Sequence, residues 1–236
     1  MDQMRIAQQL SSTLSLREPP IGVSLADSAP VGVPTFNEVV PSSCALWRKA
    51  EKGVFYAPAE SHYNCPVGAM VMGFDMPESV KSELMGAVGL MCECGYVSPD
   101  EPEKIPTMKR KSQGIVYGPL GELPVQADLV LLWLTPQQAM FFNEAIGASK
   151  WTHDAPTSVF GRPGCAALPV AYENGRTTAS FGCMGMRTFT EIPNDRFLVA
   201  VPAARAEEFA QSLETIAAVN ENMRAYYLDR KARFSG

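Results

Sequence analysis

The chain has 236 residues, 46% of them hydrophobic and 19% charged, with a net charge of −5. That composition supplies a real core and excludes a disordered polymer. The acidic balance excludes nucleic acid as a main partner, because phosphate binding needs a basic footprint. No apolar stretch reaches the roughly 18 residues of a membrane span.

In chain order, residues 2–16 read as a short helix with an apolar stripe of Met4, Ile6, Ala7, Leu10 and Leu14, stopped by Pro19-Pro20. Residues 21–25 read as a strand and the Pro- and Ser-rich residues 26–41 as a loop. A short helix over 44–52 and a strand over 53–57 follow. Pro66, with its fixed φ and missing N–H, suits the first position of the next helix. Residues 77–94 read as a helix ended by Gly95, and 99–106 as a polar loop. A short strand over 115–120 is expected to turn at Gly118-Pro119. The continuous apolar run 127–134 reads as a strand buried on both faces. Thr135 then caps a helix that starts at Pro136 and reaches Gly147. Residues 197–201 read as a strand, 202–227 as a long amphipathic helix, and 229–236 as a polar tail.

The fold class expected from this order is mixed α/β (α+β), a single unit over 1–236. A weak echo suggests two pseudo-repeated halves, 18–120 and 121–228. Cys44 and Cys65 stand 21 residues apart in one, and Cys165 and Cys183 stand 18 apart in the other. Residues 1–16 carry Asp2, Gln3, Gln8 and Gln9 and no apolar core of the secretory kind, so a cytoplasmic location is expected. In that compartment six cysteines read as reduced thiols or metal ligands rather than disulfides.

Four of the cysteines have turn or glycine neighbours. Cys44 follows Ser42-Ser43, Cys65 precedes Pro66, Cys165 follows Gly164, and Cys183 lies between Gly182 and Gly185. Glycine permits close backbone approach, backbone N–H groups can donate to cluster sulfurs, and a helix N-terminus favours a thiolate. None of the four belongs to a CxxC pair, so neither a zinc ribbon nor a ferredoxin spacing is present. The bland alternative is that each is a small buried hydrophobe. Cys92 and Cys94 end a helix and point in different directions, which reads as structural. His62, three residues before Cys65, is a candidate ligand, proton donor or gate, against a plain loop histidine; His153 is a weaker candidate. Arg187 is a candidate anion contact, against a structural ion pair. The methionines near the cysteines, Met70, Met72, Met184 and Met186, raise copper(I), against gap-filling core. The basic cluster of Lys104, Lys109, Arg110 and Lys111 reads as a solvated loop, against an anion or partner contact.

The stretches Tyr63-Asn64-Cys65-Pro66-x-Gly68-Ala69, Pro136-Gln137-Gln138 after a buried strand, and Gly182-Cys183-x-Gly185-x-Arg187 resemble the domain of unknown function 169 family, prokaryotic ArCR-like proteins with many members in anaerobes and archaea. The resemblance implies that Cys65 and Cys183, with Cys44 and Cys165, form the family's site, and it implies no reaction. The leading functional expectation is an iron–sulfur protein, most simply [4Fe-4S], acting in electron transfer or as an accessory in anaerobic metabolism. The alternatives are a zinc or copper(I) module, or a cofactor-free thiol enzyme using Cys65 or Cys183. A redox partner protein or a small anionic substrate is the expected partner, and a homodimer is left open.

Overall fold

The computed structural model describes residues 1–145 and 158–234. Helix α1 (Gln3–Leu14) starts where the Asp2 side chain accepts from Arg5 N, and ends where Ser15 turns left-handed. Its Gln3 side chain donates to the carbonyls of Leu123 and Val125 and accepts from Ala127 N, tying the helix to a remote loop. Strand β1 (Ile21–Ala26), helix α2 (Ala45–Ala50) and strand β2 (Phe55–Pro58) follow. Helices α3 (Pro66–Val71) and α4 (Glu78–Glu93) lead to strand β3 (Gly114–Pro119). Strand β4 (Leu129–Leu134) then feeds helix α5 (Pro136–Ala145). Gln138 N donates to Thr135 Oγ1 while Thr135 N donates to Gln138 Oε1, a reciprocal cap that fixes where α5 begins.

The remaining elements are strand β5 (Ser158–Phe160), helix α6 (Ala167–Asn174), strand β6 (Thr178–Ser180), helix α7 (Met184–Thr190), strand β7 (Phe197–Pro202) and helix α8 (Ala203–Ala232). The strands form one sheet in the order β2-β3-β1-β4-β7-β6-β5. Every neighbouring pair is antiparallel except β5 and β6.

Side-chain alternation divides the core into two layers. Ile21, Val23, Leu129, Leu131, Trp133, Tyr117 and Leu198 face α2, α3 and α6. Val116, Val130, Leu132, Val199 and Val201 face α1, α5 and the first turns of α8. Helices on both faces explain why every residue of β4 is buried, as its continuous apolar run predicts. The architecture is mixed α/β in one compact unit, and no helix among the described residues is long and apolar enough to cross a membrane.

From the central β1–β4 pair the sheet reads alike in both directions, β1-β3-β2 one way and β4-β7-β6 the other. Cys44 and Cys65 lie before α2 and α3, on either side of β2; Cys165 and Cys183 lie before α6 and α7, on either side of β6.

Several elements differ from the sequence reading. β3 continues through Gly118 and Pro119, which pair with Gly22 and Ile21; Pro119 is its last residue, where a missing N–H is tolerated. α8 runs on to Ala232, and only its first turns are buried, so the expected amphipathic stripe stops near Leu213. α6, α7, β5 and β6 are too short for a periodic pattern to announce. The far end of the helix expected to reach Gly147, and His153, lie outside the described residues.

Candidate functional site

The four cysteines with turn or glycine neighbours come together on the α2/α3/α6/α7 side of the sheet. Cys44 and Cys165 are buried, and Cys65 and Cys183 half-buried. Cys44 and Cys165 belong to one buried cluster, with Cys183 packed against it, and the charges of the four thiols act on one another, which puts them in one region of the molecule. Neither Cys92 nor Cys94 enters these interactions. They sit at the C-terminal end of α4, where the exposed Cys94 thiol bonds the Met91 carbonyl.

Local chain geometry accounts for the convergence. Gly68 brings the first turn of α3 against Ser43; a Cβ there would stand 3.2 Å from Cys65 Sγ. Met186, 1% exposed, fills the space between the two second-half loops. A Cβ on Gly164 would stand 2.8 Å from its Sδ, and a Cβ on Gly182 would overlap its methyl group. Gly182 has φ +86, a conformation that L side chains rarely adopt. Of the methionines weighed for copper(I), Met72 and Met186 are thus core fillers, while Met184 is exposed.

Three of the four sulfurs have polar neighbours. Met186 N donates to Cys183 Sγ at 3.3 Å. The backbone groups of Gly68 and Ser43 act to lower the Cys65 pKa, and Ser42 Oγ lies 3.1 Å from Cys44 Sγ. Burial nonetheless dominates: it pushes the Cys44 thiol up to about 12, and raises Cys65 and Cys165, with the neighbouring thiols adding to the rise. The expected thiolate-favouring helix terminus at Cys65 is outweighed by burial. The rise disfavours the nucleophilic thiolate at Cys44, Cys65 and Cys165. A metal cation reverses that balance by displacing the protons.

Arg187 holds the Cys183 loop in shape. Its Nε and Nη2 donate to the Phe181 carbonyl at 3.0 and 2.7 Å, and its Nη1 to the Pro193 carbonyl at 3.3 Å. The guanidinium is engaged by backbone carbonyls, neither by the acid of an ion pair nor by an open anion pocket. His62 is fully buried, with its ring 4.7 Å from that of Phe74 and 6.0 Å from that of Tyr117. Neither ring nitrogen has a hydrogen-bond partner, and burial pushes its pKa down to about 3. It is a neutral core histidine, not the loop residue its sequence context suggests. In the basic cluster, Lys104 pairs with Asp100, Lys111 with Asp75, and Arg110 faces Asp128 at 3.7 Å.

Among the described residues, no group of three or more His, Cys, Asp or Glu side chains is arranged to hold a metal ion. Zinc or copper(I) would draw its thiolates to about 2.3 Å from one point. A multi-iron cluster binds each thiolate through a different iron and so needs them around a wider volume. Three further polar side chains line the buried side: Ser43, Trp47 and Tyr117, none with a hydrogen-bond partner for its Oγ, Nε1 or Oη. Trp47, one helical turn past Cys44, was readable from the sequence; Tyr117 reaches the site only through strand pairing.

The model of the domain of unknown function 169 (DUF169) family, described as uncharacterised ArCR, matches residues 9–212. An uncharacterised protein of Methanocaldococcus jannaschii is 26% identical over 220 residues, covering 88% of this chain and 92% of that protein. No solved structure matches. With a sheet, both helical layers and all four converging cysteines inside the matched span, the chain belongs to the DUF169 family.

Proposed function

We propose that this chain is an iron–sulfur protein in which Cys44, Cys65, Cys165 and Cys183 hold one cluster, most simply [4Fe-4S], and that it acts as a one-electron carrier or redox accessory in the cytoplasm. The observation that carries this reading is the gathering of four cysteines from four separate chain segments in one region on one side of the sheet. Four thiols, backbone N–H donors aimed at sulfur, and glycines where a side chain would intrude form a donor set suited to a cluster. Such a cluster, when bound, accepts and releases single electrons. The chain's own residues supply the thiolates, the N–H donors and an apolar surround that keeps water away. Half-buried Cys65 and Cys183 put the site near the surface, beside exposed Phe181 and Met184, where a redox partner protein could approach.

The test is the absorption spectrum of protein purified without oxygen, with iron, zinc, copper and acid-labile sulfide counted in the same sample. A brown protein with matching iron and sulfide that bleaches with dithionite is the expected result. Each of Cys44→Ala, Cys65→Ala, Cys165→Ala and Cys183→Ala should then lose most of the metal, while Cys92→Ala and Cys94→Ala keep it. A colourless protein with zinc or copper and no iron, after co-expression with cluster-assembly proteins, would replace this reading with a metal-binding module.

A further inference from the structure

Tyr117 lies on β3 with its ring fully buried, 5.8 Å from the Phe55 ring and 6.0 Å from His62. Its hydroxyl is buried without a hydrogen-bond partner, and the residue packs in the same buried cluster as Cys44, Cys165 and Trp47. Trp47 is 1% exposed, with its indole held 6.2 Å from that of Trp133. The Trp47 N–H is close enough to the Tyr117 oxygen to lower its pKa, without closing a bond of normal geometry.

The donor inventory leaves one group over. An indole N–H can only donate; a phenol can accept one bond and donate another. If Trp47 donates to the Tyr117 oxygen, the Tyr117 proton still needs an acceptor. A buried donor left without one is destabilising. The sulfurs of the neighbouring site are the acceptors at hand, and they become strong ones only when they carry negative charge.

We propose that Tyr117 donates a hydrogen bond to a sulfur of the bound group on its Cys44–Cys165 side, with Trp47 donating to Tyr117 behind it, and that this relay tunes the site's reduction potential. The inference rests on the iron–sulfur reading. A donor at sulfur stabilises the reduced state, which carries one more negative charge, and so raises the potential.

The test uses the full chain purified without oxygen, wild type beside Tyr117→Phe and Trp47→Phe. Iron and sulfide are counted and midpoint potentials measured by dye-mediated titration. Tyr117→Phe should hold the same iron and sulfide with a lower potential, the affinity for the electron falling about tenfold, equivalent to about 59 mV for a one-electron couple. Trp47→Phe should shift it in the same direction by less, and carries the test if Tyr117→Phe does not fold. Equal loading with an unchanged potential overturns the relay and leaves the iron–sulfur reading standing. A folded Tyr117→Phe that no longer loads also overturns it, by giving Tyr117 a structural role. A wild-type chain with no iron or sulfide removes the iron–sulfur reading and the relay with it.

Discussion

Gly68 lies against Ser43: a Cβ on Gly68 would stand 2.5 Å from Ser43 Oγ and 2.9 Å from Ser43 Cβ. The contact joins the first turn of α3 to the turn before α2, and so joins Cys65 to Cys44. The nearest obstacles belong to a buried serine with little room to move. Gly68→Ala should therefore destabilise the chain by about 1–3 kcal/mol through overpacking, and, on the iron–sulfur reading, should lower its retained iron. Gly86 is the control. It is also helical, in α4, but nothing lies within 4 Å of its Cβ position. Gly86→Ala should stabilise by about 0.5–1 kcal/mol, the helix-propensity difference, with iron unchanged. Urea denaturation and metal counting on the two variants check both signs.

His62 sets a pH dependence. Its pKa is about 3 in the folded chain and about 6.5 when exposed, because burial disfavours the cation. The unfolded state therefore binds more protons between those values, so stability is fully present above about pH 6.5 and is lost as pH falls towards 3. His62→Phe should reduce this loss, since a phenyl ring has no proton to gain. Neither imidazole nitrogen is hydrogen-bonded, and the neighbours are Phe74 and Tyr117, so the variant should be no less stable at pH 7.5. Urea denaturation at pH 7.5 and pH 5 gives the slope for both proteins. Equal slopes would show that His62 does not set it.

The long elements were legible because each carries its own signal. The unbroken apolar run of β4, the Pro136 start of α5 and the Pro66 start of α3 are local statements about burial and backbone, and the structure follows them. The three-residue strands β5 and β6 carry no periodicity and exist through their neighbours. The four cysteines of the proposed site stand out in sequence by their permissive surroundings. What no local pattern could supply was the state of the thiols and the identity of the inner wall. Cys65 sits where a helix terminus would favour a thiolate, yet burial, a tertiary property, reverses the sign. Arg187 reads equally as an anion contact or a structural ion pair, because an exposed guanidinium and one bonded to its own loop's carbonyls look the same in sequence.

Arg196 offers a separate test of the core's electrostatics. It is 3% exposed, donates to Asp195 at 2.7 Å, and holds its Nε 3.7 Å from Glu18 Oε2. That Glu18 oxygen is buried and has no hydrogen-bond partner, so the guanidinium charge is its compensation. Arg196→Met should cost about 3–5 kcal/mol by leaving a buried carboxylate alone. Adding Glu18→Gln should recover a large part of the loss, because the second change removes the stranded charge. A double-mutant cycle in urea isolates the coupling; additive losses would show that the pair does not act as one.

Arg187 should act on the site without touching a sulfur. Its guanidinium bonds the carbonyls of Phe181 and Pro193, which bracket Cys183, Met186 and the whole of α7. Two carbonyls on different sides of the loop require a planar fork, which a lysine ammonium cannot reproduce. Hydrogen bonds to a charged donor contribute about 1.5–3 kcal/mol when buried, and solvent screening reduces that here because the contacts are exposed. Arg187→Lys should thus lose about 1–2 kcal/mol, the lower part of that scale. The larger effect should fall on the loop. With Gly182 at positive φ and no clamp across Phe181, Cys183 samples more positions, and a thiolate that wanders opens one coordination position. On the iron–sulfur reading, release of iron to a chelator should be several-fold faster from Arg187→Lys than from wild type. The variant's iron content, measured at purification before chelator is added, should stay near the wild-type value. Unchanged release kinetics in a folded, loaded variant would mean that Met186, wedged between Gly164 and Gly182, holds the loop by itself.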